Sequence, residues 1–326
     1  MKLEYKVTGD ASGQRLDKFL RKRLAAVPLS HLYKLVRTKK VRVNGARAQI
    51  DQLLGAGDVI TVHGAREDKP AADETAKPAS AVKQDFTILY EDDAILVCNK
   101  PSGLAIHPGS GIQGETLVDQ ARAYLERQGL QLADGEFKPS PAHRLDRETS
   151  GVVVVAKTRQ AMVKMSEIFA EGEAHKVYLA LAKGRFQREK GSIDLRLPEH
   201  QQTAGSKAQR GVNMQQALTH WKRLAGGPEA TLLEVEIETG RTHQIRRHLA
   251  AIGHPVVGDS KHGDFPFNRQ AQKSFGLRRM FLHSARLSIA HPLTMKRLIF
   301  SAALPEDLVS CLPRAGITWR PRADIA

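Results

Sequence analysis

Cysteine is nearly absent from this chain. Cys98 and Cys311 are the only two in 326 residues, too few for a disulfide framework or a four-ligand zinc site. No apolar run approaches the ~18 residues that span a bilayer, so no membrane association is expected. The opening MKLEYKVTGD lacks the apolar core of a signal peptide. These absences predict a cytoplasmic protein with reduced thiols. Three catalytic signatures are also missing: a GxxxxGK[ST] phosphate loop, a GxSxG elbow and an HExxH pair. Nucleotide hydrolysis, a serine-hydrolase triad and zinc proteolysis each lose their usual sequence marker.

Acidic residues are outnumbered, 35 against 50 Lys and Arg, which leaves a net charge of +15. Such a balance implies a polyanionic partner, with phosphate neutralisation as its use. The excess is uneven. Residues 1–63 hold 13 Lys/Arg and 5 Asp/Glu, so the amino-terminal part is expected to carry much of the contact with a nucleic acid.

Within that part, Leu16, Phe19, Leu20 and Leu24 recur at helical spacing, with Arg15, Lys18, Arg21 and Lys22 opposite. Pro28 is expected to end this helix and Ser30 to cap the next, SHLYKLVRTKK. Asn44-Gly45 between short apolar runs predicts a hairpin. Residues 13–63 thus read as a small α/β module. Residues 64–84 have the Ala-, Pro- and Lys-rich composition of a linker. From residue 85 to 312 the segments FTILY, AILVCNK, GVVVVAK, HKVYLALAKGRF, GSIDLRL, TLLEVEIETG, FLHSARLSIA and KRLIFSA predict strands. Helices are expected over 115–128, 158–171 and 242–252. Short gaps late in the chain favour hairpins, hence an α+β domain on a mostly antiparallel mixed sheet. Residues 313–326 read as a peripheral tail.

Three segments combine reactive side chains with turn signals. HRLDRETSG places Asp146 on a loop before four valines, with the Thr149 and Ser150 hydroxyls available to hold that loop through backbone bonds. ETGRTHQIRRHL places Arg241 where a strand meets a helix, suited to gripping a carboxylate. HKVYLALAKG places Tyr178 in an apolar strand, where core packing is the ordinary explanation. His243 and His248, five apart, fall roughly 140° apart on a helix, which disfavours a metal site.

In order and spacing, HRLDRETSG, the Tyr178 strand and GRTHQIRRHLAAIGHPVVGD resemble the RluA family of RNA pseudouridine synthases. YEDDAILVCNKPSGLAIHPG is similar to the opening of that family's catalytic domain, and the likeness spans about residues 86–303. Residues 13–63 resemble the S-four RNA-binding domain that often precedes it. The resemblance implies Asp146 as the catalytic aspartate, Arg241 as its paired arginine and Tyr178 as the tyrosine that packs on the target base and takes its carbon-5 proton. It also implies Arg144 as the residue that displaces the flipped nucleotide and Ile245 as an apolar wall. Arg15, Lys34, Arg37, Lys39, Lys40 and Arg42 are the expected phosphate contacts of the amino-terminal module. No cofactor or metal is implied, and a monomer is expected.

The substrate is divided by two signals. The module and YEDDAILVCNKPSG look like members acting on 23S rRNA. GDSKHGDFPFNRQAQKSFGLRRMFLHSARLSIAHP is nearer to members acting on tRNA, with His262 where many ribosomal members carry tyrosine. The first reading is favoured, because a tethered module suits a large RNA. A non-catalytic RNA-binding or ribosome-assembly factor would fit the charge equally well, but would not need Asp146, Tyr178 and Arg241 together. A nucleoside hydrolase would want a second carboxylate near Asp146, and only Glu148 is close in sequence.

Overall fold

The structure, a computed structural model, describes residues 2–24, 27–64, 79–108, 114–130, 137–199 and 213–320. The chain divides into two compact units, Met1–Lys83 with Arg122–Lys138 and Gln84–Ala121 with Pro139–Ala326.

In the first unit, β1 (Lys2–Lys6) precedes α1 (Leu16–Arg23) and α2 (Leu29–Arg37), followed by β2 (Val41–Val43), β3 (Ala46–Arg47) and β4 (Val59–His63). The four strands form an antiparallel sheet in the order β1-β4-β2-β3. The spaced apolar residues Leu16, Phe19, Leu20 and Leu24 are buried with Leu3, Val41, Ile60 and Val62. Asn44 and Gly45 both have positive φ, 51° and 76°, the geometry of a tight hairpin turn. Three details differ from expectation. Strand β1, outside the 13–63 boundary, pairs with β4 throughout its length. Helix α1 stops at Arg23, well before Pro28. Pro28, not Ser30, caps α2, because its carbonyl accepts from His31 and Leu32. Of the expected linker, residues 65–78 lie outside the described residues; Ala79–Ala81 form a short 3-10 turn.

After it come β5 (Thr87–Glu91), β6 (Ile95–Lys100), α3 (Leu117–Arg127), β7 (Ser140–Pro141), β8 (Ser150–Ala156), α4 (Arg159–Ala170) and β9 (His175–Lys183). Next are β10 (Lys190–Asp194), β11 (Leu197–Pro198), β12 (Met214–Gln215), β13 (Leu218–Gly226), β14 (Ala230–Ile237) and α5 (Gln244–Ala251). The series closes with α6 (Phe265–Ser274), β15 (Leu282–Ala290), β16 (Arg297–Ser301) and α7 (Glu306–Val309). The large sheet runs β10-β13-β14-β9-β15-β8-β6-β5, with β16 beside β15 and β7 beside β8. Its pairings are antiparallel except β15 with β8. Strand β8, SGVVVVA, is buried at every position, as a strand covered on both faces must be.

Gly151 makes the parallel junction possible. Its φ is +116°, and a Cβ there would stand 2.1 Å from the Ser284 carbonyl oxygen. Any side chain would push β15 off β8 at the point where the Asp146 loop enters the sheet.

Strand β13 escaped the pattern reading because its outer half is polar and carries a bulge between Arg223 and Ala225. Helix α6 escaped because Phe-Pro-Phe at its start resembles a loop; Asp264 caps it by accepting from the Phe267 amide. The expected tail also needs correction. Pro313–Ala315 form a 3-10 turn, and Gly316 (φ 71°) turns the chain inward. Ala315 and Ile317 are then buried with Leu308 and Phe281. Residues 321–326 lie outside the described residues.

Candidate active site

The loop bearing Asp146 is tied down at several points. Lys100, fully buried, donates from Nζ to the carbonyls of Pro101 (2.9 Å), Leu104 (2.8 Å) and Arg147 (3.0 Å). The Ser102 hydroxyl donates to the Glu148 carbonyl at 2.8 Å, and the Gly103 amide to that of Arg147 at 2.9 Å. A turn closes when the Thr149 amide donates to the Asp146 carbonyl at 3.0 Å. The AILVCNKPSG segment therefore holds the loop. Ser150 was expected to bond local backbone; its Oγ instead lies 2.9 Å from Nδ1 of buried His283, because β8 has already entered the core there. His143 Nε2 accepts from the Val154 amide at 3.0 Å, anchoring the loop's other end.

Asp146 faces a cavity of about 360 Å³ whose lining includes Arg144, Tyr178, Arg241, Ile245 and Arg246. Asp146, Arg144, Tyr178, Arg241 and Ile245, singled out from three distant segments of the sequence, thus meet at one cavity. Arg144 and Arg241 are exposed, whereas Tyr178 and Ile245 are buried.

The arginine on Asp146 is not the expected one. Arg246 donates from Nη1 to Asp146 Oδ2 at 2.7 Å, while Arg241 sends Nε to the Gln216 carbonyl at 3.3 Å. The reason lies in the strand-to-helix turn. Gln244 accepts from the Arg241 amide and the Thr239 hydroxyl, and donates to the Leu218 carbonyl and Thr219 hydroxyl. This fixes the start of α5 and leaves Arg241 ahead of it at the surface. Arg246, inside the first turns of α5, faces inward.

Arg246 is itself held. Its Nε and Nη2 donate to the two oxygens of Asp259 at 2.7 and 2.8 Å, a parallel two-bond grip that fixes the guanidinium plane. Asp259 is fully buried and also accepts from the Lys261 and His262 amides. Burial alone would raise its pKa, but Arg246 and those amides hold it below the usual carboxylate range. Burial likewise opposes the charge of Arg246, and its two carboxylates outweigh that and push its pKa up. Asp146 therefore faces a cation that stays charged.

His243 has a left-handed backbone (φ 55°) and caps α5 rather than lying on it. Its Nε2 is 3.7 Å from Asp146 Oδ1, and its Nδ1 is 2.9 Å from His262 Nε2. Burial, only partly countered by Asp146, pulls the His243 pKa to about 4. No group of three or more His, Cys, Asp or Glu side chains among the described residues is arranged to hold a metal. Sequence patterns gave no cue to Arg246, Asp259 or the His243–His262 contact, although all four lie in quoted motifs. Their roles depend on which way α5 faces and on the fold-back of 254–262.

The family model for RNA pseudouridylate synthase matches residues 94–251, and that for the S4 domain matches 14–60. Ribosomal large subunit pseudouridine synthase C of Escherichia coli K12 is 37% identical over 314 residues, covering 94% of this chain and 95% of its own. The chain belongs to the RNA pseudouridylate synthase family. The Vibrio cholerae protein of the same name is 35% identical over 309 residues, covering 94% of each chain. Among solved structures, human RNA pseudouridylate synthase domain containing 4 aligns with a TM-score of 0.58 at 26% identity, covering 76% of this chain and 98% of its own. The α+β architecture and the amino-terminal S4 domain are those of this family, whose members are isomerases.

The expected phosphate contacts of the S4 domain fall into two groups. Lys34 and Arg37 line a recess with Tyr33 and Arg47, and Lys39, Lys40 and Arg42 line another with Lys2. Arg15 lines neither and is paired with Asp17 at 3.1 Å.

Two histidines, half-buried His143 and fully buried His283, set an acid limit on stability. Burial pulls His143 to about 3, helped by the charge of Lys176, and pulls His283 to about 4. The unfolded chain binds these protons near pH 6.5 while the folded chain refuses them, so stability is full above that pH and falls as pH drops toward 4. By pH 5 each group costs about 2 kcal/mol. The melting temperature is expected to fall by roughly 10 °C between pH 7.5 and pH 5. An unchanged melting curve in differential scanning calorimetry would contradict the burial of both rings.

Proposed function

We propose that this pseudouridine synthase acts on 23S rRNA, as a cytoplasmic monomer, with Asp146 as the reacting carboxylate. The observation that carries the substrate is full-length similarity, S4 domain included, to enzymes named for the ribosomal large subunit. No helix among the described residues is long and apolar enough to cross a membrane.

In the proposed reaction the target uridine leaves its stack, at a cost of a few kcal/mol, and enters the cavity. Exposed Arg144 at the mouth takes the vacated place, and exposed Arg241 meets the backbone phosphates. Ile245 and Tyr178 enclose the base. A lone carboxylate has two routes, attack at ribose carbon 1′ or removal of a ribose proton, and both need Asp146 ionised at the sugar. Arg246 aims the carboxylate by holding Oδ2. Among the described residues no second carboxylate lines this cavity, and Glu148 is engaged by Arg147 at 2.9 Å, so the arrangement suits recapture of the base rather than attack by water.

The proposed role of Tyr178 changes in one respect. Burial and then the charge of Asp146 push its phenol pKa up. A protonated phenol packs well against a base but is a poor proton acceptor. Asp146 is a free carboxylate again once carbon 5 is joined to carbon 1′, and it takes the carbon-5 proton.

The test is tritium release from RNA labelled at carbon 5 of uracil, using unmodified ribosomal RNA and bulk tRNA in parallel. Release from the ribosomal RNA at least tenfold faster than from tRNA is expected. The reverse preference would reassign the substrate to tRNA, and no release from either would overturn the reading.

A further inference from the structure

Lys176 stands out among the residues that line the cavity. It is only 7% exposed, and among the described residues its ammonium has no hydrogen bond or ion pair. Its Nζ lies 6.0 Å from the centroid of the Phe169 ring, which packs on His143 at 4.7 Å. A buried lysine usually finds a carboxylate or a set of carbonyls, as Lys100 does here. Lys176 is therefore a cation held ready in an enzyme pocket without a protein anion to neutralise it.

Its position tells what it faces. Lys176 and Tyr178 are two apart on β9, so they share one face of the sheet with about 7 Å between them along the strand. A pyrimidine ring packed on Tyr178 brings its far edge within reach of the Lys176 ammonium. Charges around the cavity are also sorted by depth. Arg144 and Arg241 are exposed, where phosphates would pass, whereas Lys176 is buried beside an aromatic ring. The acid of the cavity, Asp146, is gripped by Arg246 instead.

We infer that Lys176 is a further catalytic residue, donating a hydrogen bond to a carbonyl oxygen of the target uracil and stabilising the charge that forms there when the glycosidic bond breaks. This rests on the assignment of the cavity to the flipped uridine. When the bond from nitrogen 1 to carbon 1′ breaks, its electron pair stays with the base and spreads over nitrogen 1, both carbonyl oxygens and carbon 5. Carbon 1′ becomes electron-poor on the side of Asp146, and the base becomes anionic on the side of Lys176. The pair then returns from carbon 5 to carbon 1′. Carbon 5 loses its proton, nitrogen 1 gains one, and no atom is gained or lost overall. Lys176 keeps its own protons throughout. Burial lowers its pKa, which makes the ammonium a stronger hydrogen-bond donor to the charge that develops on the base.

The experiment is single-turnover conversion of unmodified ribosomal RNA, read by chromatography of the digested nucleosides, with RNA affinity measured separately. Lys176→Met, which keeps the length and loses the charge, is expected to slow conversion by roughly 100-fold while affinity changes less than twofold. Lys176→Arg should recover part of the rate. With RNA containing 5-fluorouridine, whose base leaves more readily as an anion but carries no carbon-5 proton to lose, disappearance of the fluorouridine is followed instead, and the deficit of Lys176→Met in that step should shrink. Lys176→Gln is the second variant should Met alter the melting temperature. An unchanged rate with affinity weakened tenfold would make Lys176 a phosphate contact and overturn the inference. An equal deficit on both RNAs with no rescue by Arg would make its role one of packing and overturn it too. Asp146→Asn, run alongside, separates the levels: activity persisting there overturns the site itself, whereas activity lost there but intact in Lys176→Met overturns Lys176 alone.

Discussion

Asp146→Asn is expected to reduce conversion of uridine by on the order of 10⁴-fold or more, as removal of a sole reacting group does. Asparagine has the same shape and can still sit beside Arg246, so folding and RNA affinity should be retained. What it loses is the charge, and both routes open to the carboxylate depend on that. The amide can neither displace the base from carbon 1′ nor take a ribose proton, and it cannot collect the carbon-5 proton at the end. Tritium release and nucleoside chromatography should therefore fall together. A loss of tritium release alone, with pseudouridine still attached at carbon 5, would restrict Asp146 to the final proton transfer and return the first step to another group. A variant with more than a tenth of normal activity would remove Asp146 from the centre of the reaction.

How much of this site could be read from the linear chain depended on the kind of constraint involved. Asp146 was legible because a polar loop runs straight into four valines, and a strand buried on both faces has few reasons to be preceded by His, Arg, Asp and Glu. The Asn44-Gly45 hairpin and the apolar stripe of α1 were legible for the same reason: each is a local pattern with a local cause. Arg241 stands at a strand-to-helix junction that is visible in the sequence, whereas Arg246 depends on the face that α5 turns inward, which is set by Gln244 reaching β13, a strand itself too polar to be recognised. Asp259 and Lys176 depended on contacts across the fold. Lys176 in particular looks like an ordinary strand lysine until β9 is placed beneath the cavity. Ala315 and Ile317 looked peripheral because a short Pro- and Arg-bearing segment carries no periodicity.

Replacing Arg246 is expected to have effects far larger than replacing Arg241, and the two side chains of one motif thereby become separable. Arg246 makes three charge-assisted bonds, two to Asp259 and one to Asp146. Arg246→Met removes all three and leaves Asp259 buried with only backbone amides for partners. An orphaned buried carboxylate of this kind costs about 3–5 kcal/mol, so the variant should melt markedly lower and be inactive. Arg246→Lys is the more informative change. A lysine ammonium can bond Asp259 or Asp146, but it is a point donor and cannot span both with a fixed plane. The fold should survive, while turnover falls by about 10²–10³-fold, the scale for losing one preorganised donor beside a reacting group. RNA affinity should barely move, because Arg246 is buried and the phosphates pass elsewhere. Arg241→Lys keeps the surface charge and should leave turnover within a few-fold of normal, and Arg241→Ala should act chiefly by weakening RNA binding. Asp259→Asn gives the matching control: it leaves Asp146 untouched yet loosens the arginine, so turnover should fall while RNA affinity holds. Equal losses of turnover in Arg241→Lys and Arg246→Lys would mean that Arg241 reaches Asp146 once RNA is bound, and the guanidinium on the carboxylate would then be shared between the two.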